Sequence, residues 1–276
     1  MSEMTGRVFV DVDWLEKRPE VVLIHVGTTM GGGDPVAAFE ARHLDGARFA
    51  SLDDDLADLP DGVHGRHPLP TPERFMDVLG RIGVSDDSVI VAYDERNGAL
   101  AARLVWMLRI LDFDARLLDV DPDDIPERSG AGSMCVTEHL SGSGPELAAR
   151  SWPAAALATA DEVAAHIDAG GVVIDSREAL RYRGGVEPID PVAGHVPGAI
   201  NRFFGDNLVD GAFRSIDELR DRFSVVAGDS DAIVYCGSGV TACHNALAIE
   251  QAGLGRPRIY VGSWSGWSAD PARPIA

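Results

Sequence analysis

The sequence predicts two α/β domains, each three layers deep, with a central parallel sheet between helices. Three observations carry this expectation. The two halves of the 276-residue chain repeat one pattern of apolar run, polar loop and amphipathic segment. The apolar runs are short, β-branched and end in glycine or polar residues, as strands buried on both faces do. Between the halves, residues 119–152 are rich in Pro, Gly, Ser and acidic side chains, which is linker composition. The domains are expected at 1–120 and 153–276, joined by 121–152.

The elements pair off in chain order. VVLIHVGTTMGGG begins at residue 21, and VVIDSREALRYRGG begins at residue 172. ARHLDGARFASLDDDL (41–56) is matched by AGHVPGAINRFFGDNL (193–208), both with a His-x-x-Gly-Ala core. SVIVAYDERNGALAARLVWMLRILDF (88–113) and DAIVYCGSGVTACHNALAIEQAGL (231–254) each read as strand, tight loop and amphipathic helix. ARLLDV and PRIYVG supply one further strand each. His43 and Asp94 are 51 positions apart, whereas His195 and Cys236 are 41 apart. The first copy therefore carries an insertion of about ten residues around DLPDGVHGRHPLP, and such insertions often line a site made with a neighbouring domain. A cleft between the domains is the expected place for it.

Composition excludes several classes of function. With 45% hydrophobic and 25% charged residues, the chain is globular, neither disordered nor fibrous. A net charge of -20 and a pI near 4.6 oppose binding to a phosphate backbone, so no nucleic-acid partner is expected. Lys17 is the only lysine, so any anion pocket must be built from clustered arginines. No apolar run approaches the ~20 residues of a membrane helix, and the first residues lack the pattern of a signal peptide. A cytoplasmic protein with no membrane partner is expected. Three cysteines, Cys135, Cys236 and Cys243, without a C-x-x-C pair, speak against a disulfide framework, structural zinc or dithiol redox work. Cys135 reads as an incidental linker thiol and Cys243 as a packed helix residue.

Cys236 is different. A hydrophobic strand, Ala232 to Tyr235, delivers it to a carboxyl end, where ligands of open parallel sheets gather. Gly237, Ser238 and Gly239 permit a tight turn with N–H groups pointing inward, and Thr241 can cap the helix that follows. N–H donors and a helix N-terminus favour anionic sulfur, so the thiol pKa should fall and the residue should act as a thiolate nucleophile. Three other readings compete. One is a buried, inert cysteine, which the glycine loop and strand-end position weaken. Another is dinucleotide binding through the lone G-x-G-x-x-A of Gly237, Gly239 and Ala242, but the next strand lacks the acidic residue a ribose needs. The last is a cysteine phosphatase, which needs an arginine six after the cysteine, where this chain has Ala242.

CGSGVTA, AGHVPGAIN, DSREALRYRG and SWSGWSADPARP together resemble the tandem-domain rhodanese family. CGSGVTA is similar to the loop of its 3-mercaptopyruvate sulfurtransferases, whereas thiosulfate-preferring members carry basic residues directly after the cysteine. The resemblance spans roughly 7–120 and 155–276. It implies two rhodanese-like domains with a non-catalytic first copy, consistent with Asp94 at the position of Cys236. It further implies that Cys236 carries sulfur as a persulfide. Ser238 matches a proton-handling serine, His67 its histidine partner, and Asp55, with Asp53 and Asp54 as neighbours in register, the aspartate. Arg181 matches a substrate-carboxylate arginine, and Arg183 stands near it. The second such arginine falls at Asp190, a departure for which Arg183 or Arg177 could compensate. Gly237, Gly239, Val240 and Thr241 would line the donor and its sulfur. His43, His195, Asp175 and Arg177 are expected to be structural, and Trp264 and Trp267 to pack the C-terminal tail. The implied partners are a small-molecule sulfur donor, 3-mercaptopyruvate or thiosulfate, and a thiol, thioredoxin-like or cyanide acceptor. No metal or organic cofactor is implied. A sulfur-carrier or interaction module without turnover is the remaining non-enzymatic reading.

Overall fold

The computed structural model describes residues 7–61, 63–126, 145, 147–229 and 231–276. Cys135 lies outside the described residues. The chain divides into two units, Met1–Asp58 with Pro70–Trp152, and Leu59–Leu69 with Pro153–Ala276. Segment 59–69 is thus a correction to a first domain running unbroken over 1–120. Its physical reason is close packing. Gly65, at φ +82°, lies so near Gly262 and Ser265 that a Cβ there would come within 2.7 Å of Ser265 Oγ. Glycine is the residue that permits this approach.

In the first unit the strands are β1 (Phe9–Asp11), β2 (Val22–Gly27), β3 (Arg48–Ser51), β4 (Val89–Tyr93) and β5 (Asp114–Asp119). Helices α1 (Val12–Glu16), α2 (Pro35–Ala41), α3 (Pro72–Arg81) and α4 (Ala101–Ile110) connect them. The sheet is parallel throughout, in the order β1-β5-β4-β2-β3. Side chains alternate along each strand. Leu23, Val91, Tyr93 and Leu118 join Phe39 of α2 in one apolar cluster, while Ile24, Val26, Ile90 and Ala92 point the other way and are equally buried. Burial on both faces explains the unbroken apolar runs in the sequence. Sequence also explains where helices begin: Asp34 and Thr71 cap α2 and α3 through their side chains, each followed directly by proline.

The second unit has α5 (Ala160–Asp168), β6 (Val173–Asp175), α6 (Ala179–Tyr182), β7 (Ile200–Asn201), a short antiparallel pair β8 (Leu208–Val209) and β9 (Ala212–Phe213), α7 (Ile216–Arg222), β10 (Ile233–Tyr235), α8 (Thr241–Gln251), β11 (Arg258–Ile259) and α9 (Ser263–Trp267). Its parallel sheet runs β11-β10-β6-β7, the order of β5-β4-β2-β3 in the first unit. The repeat extends to single hydrogen bonds. Tyr93 ends β4 and Tyr235 ends β10. Their hydroxyls accept the N–H of Leu44 at 2.8 Å and of Val196 at 3.2 Å, each the residue after the repeated histidine. His43 Nδ1 lies 2.7 Å from the Phe39 carbonyl, and His195 Nδ1 lies 2.9 Å from that of Tyr182. Each histidine therefore braces its loop, and each tyrosine ties that loop to the strand end. In the first unit that strand end is Asp94 and in the second it is Cys236.

Candidate active site

β10 is fully buried and carries Cys236 to its carboxyl end, where the residue is 2% exposed. The turn is held from outside by the start of α9. Cys236 N–H donates to Ser263 Oγ at 3.1 Å, and the carbonyls of Cys236 and Gly237 accept from Trp264 N–H at 2.9 Å and Ser265 N–H at 3.0 Å. Ser263 takes a positive φ of 53° to make this clasp, and its hydroxyl donates to the Tyr260 carbonyl. With the loop's outer polar groups used in this way, the N–H of Gly239 is turned to the sulfur. Gly239, at φ +79°, donates its N–H to Cys236 Sγ at 3.1 Å. α8 starts directly after, and its N-cap is Val240, without a side-chain cap. This corrects the expectation that Thr241 caps the helix: Thr241 is the first helical residue, one position too late to accept from the N2 or N3 amide.

The first unit shows what such a loop does with an anion. Asp94, buried at the position of Cys236, accepts N–H bonds from Arg96 (2.7 Å), Gly98 (2.9 Å), Leu100 (2.7 Å) and Ala101 (2.7 Å). Burial raises its pKa, and the four donors oppose that rise. The loop and helix terminus are therefore built around negative charge, and in this copy the chain's own carboxylate supplies it.

Around Cys236 the structure collects polar side chains from three segments. Ser238, buried, lies with its Oγ 2.8 Å from Nδ1 of His67, also buried. Arg66 is anchored next to it by its N–H bond to Ser265 Oγ at 3.1 Å. Arg181, on α6, is bound by Glu187, whose carboxylate accepts from Nε and from Nη2, the latter at 2.7 Å. Asp190, which occupies the place of the expected second arginine, pairs with Arg66 Nη1 and, at 3.2 Å, with Arg181 Nη2. Both guanidinium groups lie over Gly237. A Cβ at that position would stand 3.1 Å from Arg66 Nη2 and 3.5 Å from both Arg181 Nη atoms. Burial pulls the Arg66 pKa below its ordinary value, and a thiolate at Cys236 would act against that fall.

Beneath this layer Arg177 and Asp175 form a buried pair. Nη2 meets the carboxylate at 2.7 Å, and Arg177 also donates to the Gly194 carbonyl and to Glu187. Burial alone would lower the Arg177 pKa, but the hydrogen bonds and charge of Asp175 carry it upward. The guanidinium stacks 4.7 Å from the ring centroid of Trp264, whose indole N–H reaches the Val192 carbonyl.

Of the residues singled out in the sequence, Cys236, Ser238, His67, Arg181, Gly237, Gly239, Val240 and Thr241 fall within this one unit. Arg183 does not join the ion-pair cluster. Its side chain is exposed and pairs with no carboxylate among the described residues, and the residue is the C-cap of α6, outside its helical turn. Asp55 belongs to the first unit, where it accepts the Ser51 N–H at 2.8 Å and pairs with Arg81. Its charge is matched locally by Arg81. Asp53 accepts from Thr28 and Thr29, and Asp54 from Ser51. Arg66 was not among the expected residues. The available signal was indirect: an aspartate where a cation is expected must have acquired a cationic partner. Cys243 donates to the Gly239 carbonyl at 3.3 Å, inside the packed face of α8.

A parallel-sheet unit that presents a cysteine in a glycine loop, ringed by arginines and a serine–histidine pair, defines a thiol-based group-transfer enzyme. Comparison with known proteins sharpens this. The rhodanese-like domain family matches residues 159–270. A Pseudomonas aeruginosa protein named as a probable 3-mercaptopyruvate sulfurtransferase is 41% identical over 86% of this chain and 85% of its own. The 3-mercaptopyruvate sulfurtransferase of Escherichia coli is 30% identical over 99% of both chains. The solved structure of 3-mercaptopyruvate sulfurtransferase from Leishmania major superposes with a TM-score of 0.79 at 27% identity, covering 96% of this chain and 75% of that one. The chain belongs to the rhodanese family of sulfurtransferases. No helix among the described residues is long and apolar enough to cross a membrane.

Proposed function

We propose that the chain moves sulfane sulfur from 3-mercaptopyruvate to a thiol acceptor through a persulfide on Cys236. The observation that carries this reading is the Cys236 loop, where the sulfur accepts Gly239 N–H beside Ser238 and His67. The Cys236 thiolate attacks the donor's sulfur. The new S–S bond forms as the donor's C–S bond breaks, and the electron pair passes to carbon, leaving the enolate of pyruvate. That carbon takes up the proton of the donor thiol, relayed by Ser238 and His67, and pyruvate departs. The persulfide anion is held by loop N–H groups, which stabilise charge as an oxyanion hole does. A low-molecular-weight thiol, a thioredoxin-like protein or cyanide then attacks the outer sulfur and regenerates the thiolate. The first unit, with Asp94 in place of a thiol, serves as scaffold. Arg181 supports the choice of an α-keto acid donor, because a planar guanidinium matches a carboxylate.

The test is steady-state transfer by the wild type and Cys236→Ser, with mercaptopyruvate or thiosulfate as donor and cyanide as acceptor, and intact mass after donor alone. A gain of one sulfur atom in the wild type, absent from Cys236→Ser, with faster turnover of mercaptopyruvate, is expected. No added sulfur with either donor would overturn the mechanism. Faster turnover of thiosulfate would overturn the donor assignment.

A further inference from the structure

We propose that Arg66 supplies the second carboxylate-binding guanidinium of this site, and that Asp190 is the residue that positions it. The inference rests on the donor reading above and deepens it.

Sequence position alone would leave the site one cation short, because residue 190 is acidic. The geometry restores that cation from elsewhere in the chain. Asp190 is buried and spans Arg66 Nη1 and Arg181 Nη2 with its two oxygens. Glu187 fixes the Nε and Nη2 edge of Arg181. Among the described residues, Arg181 Nη1 and Arg66 Nη2 are bonded to no protein acceptor. These two nitrogens are among the atoms nearest the space above Gly237, adjacent to the nucleophile. Two N–H donors from separate guanidinium groups, side by side over a glycine, suit the two oxygens of a planar carboxylate. The carboxylates behind them hold the guanidinium planes in place before substrate arrives, which reduces the cost of ordering long side chains on binding.

Arg66 comes from the segment 59–69 that packs on the second unit. Its own N–H is tied to Ser265, on the helix that clasps the Cys236 loop, and His67 follows it directly. The insertion therefore delivers a proton-handling residue and an anion-binding residue side by side. The two guanidinium groups over the loop also suit a glycine at 237. Here the cation reaches the loop through space from position 66, and even a Cβ at 237 would stand 3.1 Å from Arg66 Nη2, tight enough to press on it.

The experiment compares alkylation of Cys236 by iodoacetate and by neutral iodoacetamide in the wild type, Arg66→Gln and Asp190→Asn, with KM and kcat for mercaptopyruvate measured in parallel. Both reagents are attacked by the same sulfur with loss of iodide, and they differ in carboxylate against amide. Arg66→Gln is expected to lower the iodoacetate-to-iodoacetamide rate ratio and kcat/KM for mercaptopyruvate by about 10- to 100-fold, mostly through KM, the range set by a hydrogen bond to a charged group. Asp190→Asn is expected to shift the ratio in the same direction by less. Circular dichroism of each variant establishes that it is folded. An unchanged ratio in folded Arg66→Gln, or an equal loss with both reagents, overturns the assignment. The alkylation ratio needs no turnover, so it separates failure of this proposal from failure of the sulfur-transfer reading, which the wild type with mercaptopyruvate tests directly.

Discussion

Arg177→Met probes the foundation of the Cys236 loop. Arg177 is 2% exposed and Asp175 fully buried, and Nε meets both carboxylate oxygens at 3.1 Å while Nη2 meets one at 2.7 Å. Methionine retains much of the stem's volume but leaves Asp175 as a buried carboxylate without its cation. Breaking a buried pair on one side costs roughly 3–5 kcal/mol, most of it the desolvation of the charge left behind. The bond to the Gly194 carbonyl and the stacking on Trp264 are lost as well. Because Trp264 N–H holds the Cys236 carbonyl, sulfur transfer should fall along with stability. The assay is urea denaturation followed by circular dichroism, analysed by linear extrapolation. The companion variant Asp175→Asn/Arg177→Met removes both charges and should recover part of the loss, since replacing a pair is far less harmful than halving it. A loss below about 1 kcal/mol in Arg177→Met, or a double variant less stable than the single one, would refute the reasoning.

Two further predictions concern the first unit. His25 is buried among Phe39, Phe49 and Tyr93, and both its ring nitrogens lack a hydrogen-bond partner among the described residues. Burial, with His43 nearby, depresses its pKa from 6.5 to about 4. The unfolded chain therefore binds the proton first as pH falls. The contribution of neutral His25 is complete above pH 6.5 and is lost progressively toward pH 4, up to about 3 kcal/mol. His25→Leu should flatten that part of the stability–pH curve measured by urea titration, and an unchanged slope would contradict the assignment. Asp94→Asn turns an acceptor of four N–H bonds into a group with one acceptor oxygen and two donors. A loss of about 2–4 kcal/mol is expected in thermal or urea unfolding, and a stability within error of the wild type would show that the carboxylate does not organise the loop.

What could be read from the sequence was whatever lies within one short window. Strands buried on both faces appear as unbroken apolar runs, and Cys236, Gly237 and Gly239 are contiguous, so the loop that shapes them is local. The repeated His-x-x-Gly-Ala signalled a shared brace, although the tyrosine hydroxyls that complete it lie 49 and 39 positions away in the chain. Arg66 was illegible for the same reason: its partner is 124 positions distant, and within HGRHPLP an arginine looks like any solvated charge. Arg183 attracted attention by adjacency to Arg181, but on a helix of four residues the two side chains leave in different directions. The identity of the helix cap at α8 also depends on one residue of register, which pattern alone does not set.

The carboxylate of Asp94 is permanent, whereas an outer sulfur on Cys236 would come and go. The two cradles therefore differ in the constancy of the anion they hold. The first is filled by a covalent part of the chain at all times, so its local stability is constant through turnover. On the proposed mechanism the second alternates between the Cys236 thiolate and its persulfide anion, so the charge its loop faces moves outward by one S–S bond on loading and back on release. On that reading the N–H donors of one cradle serve a single fixed anion, and those of the other serve two in alternation.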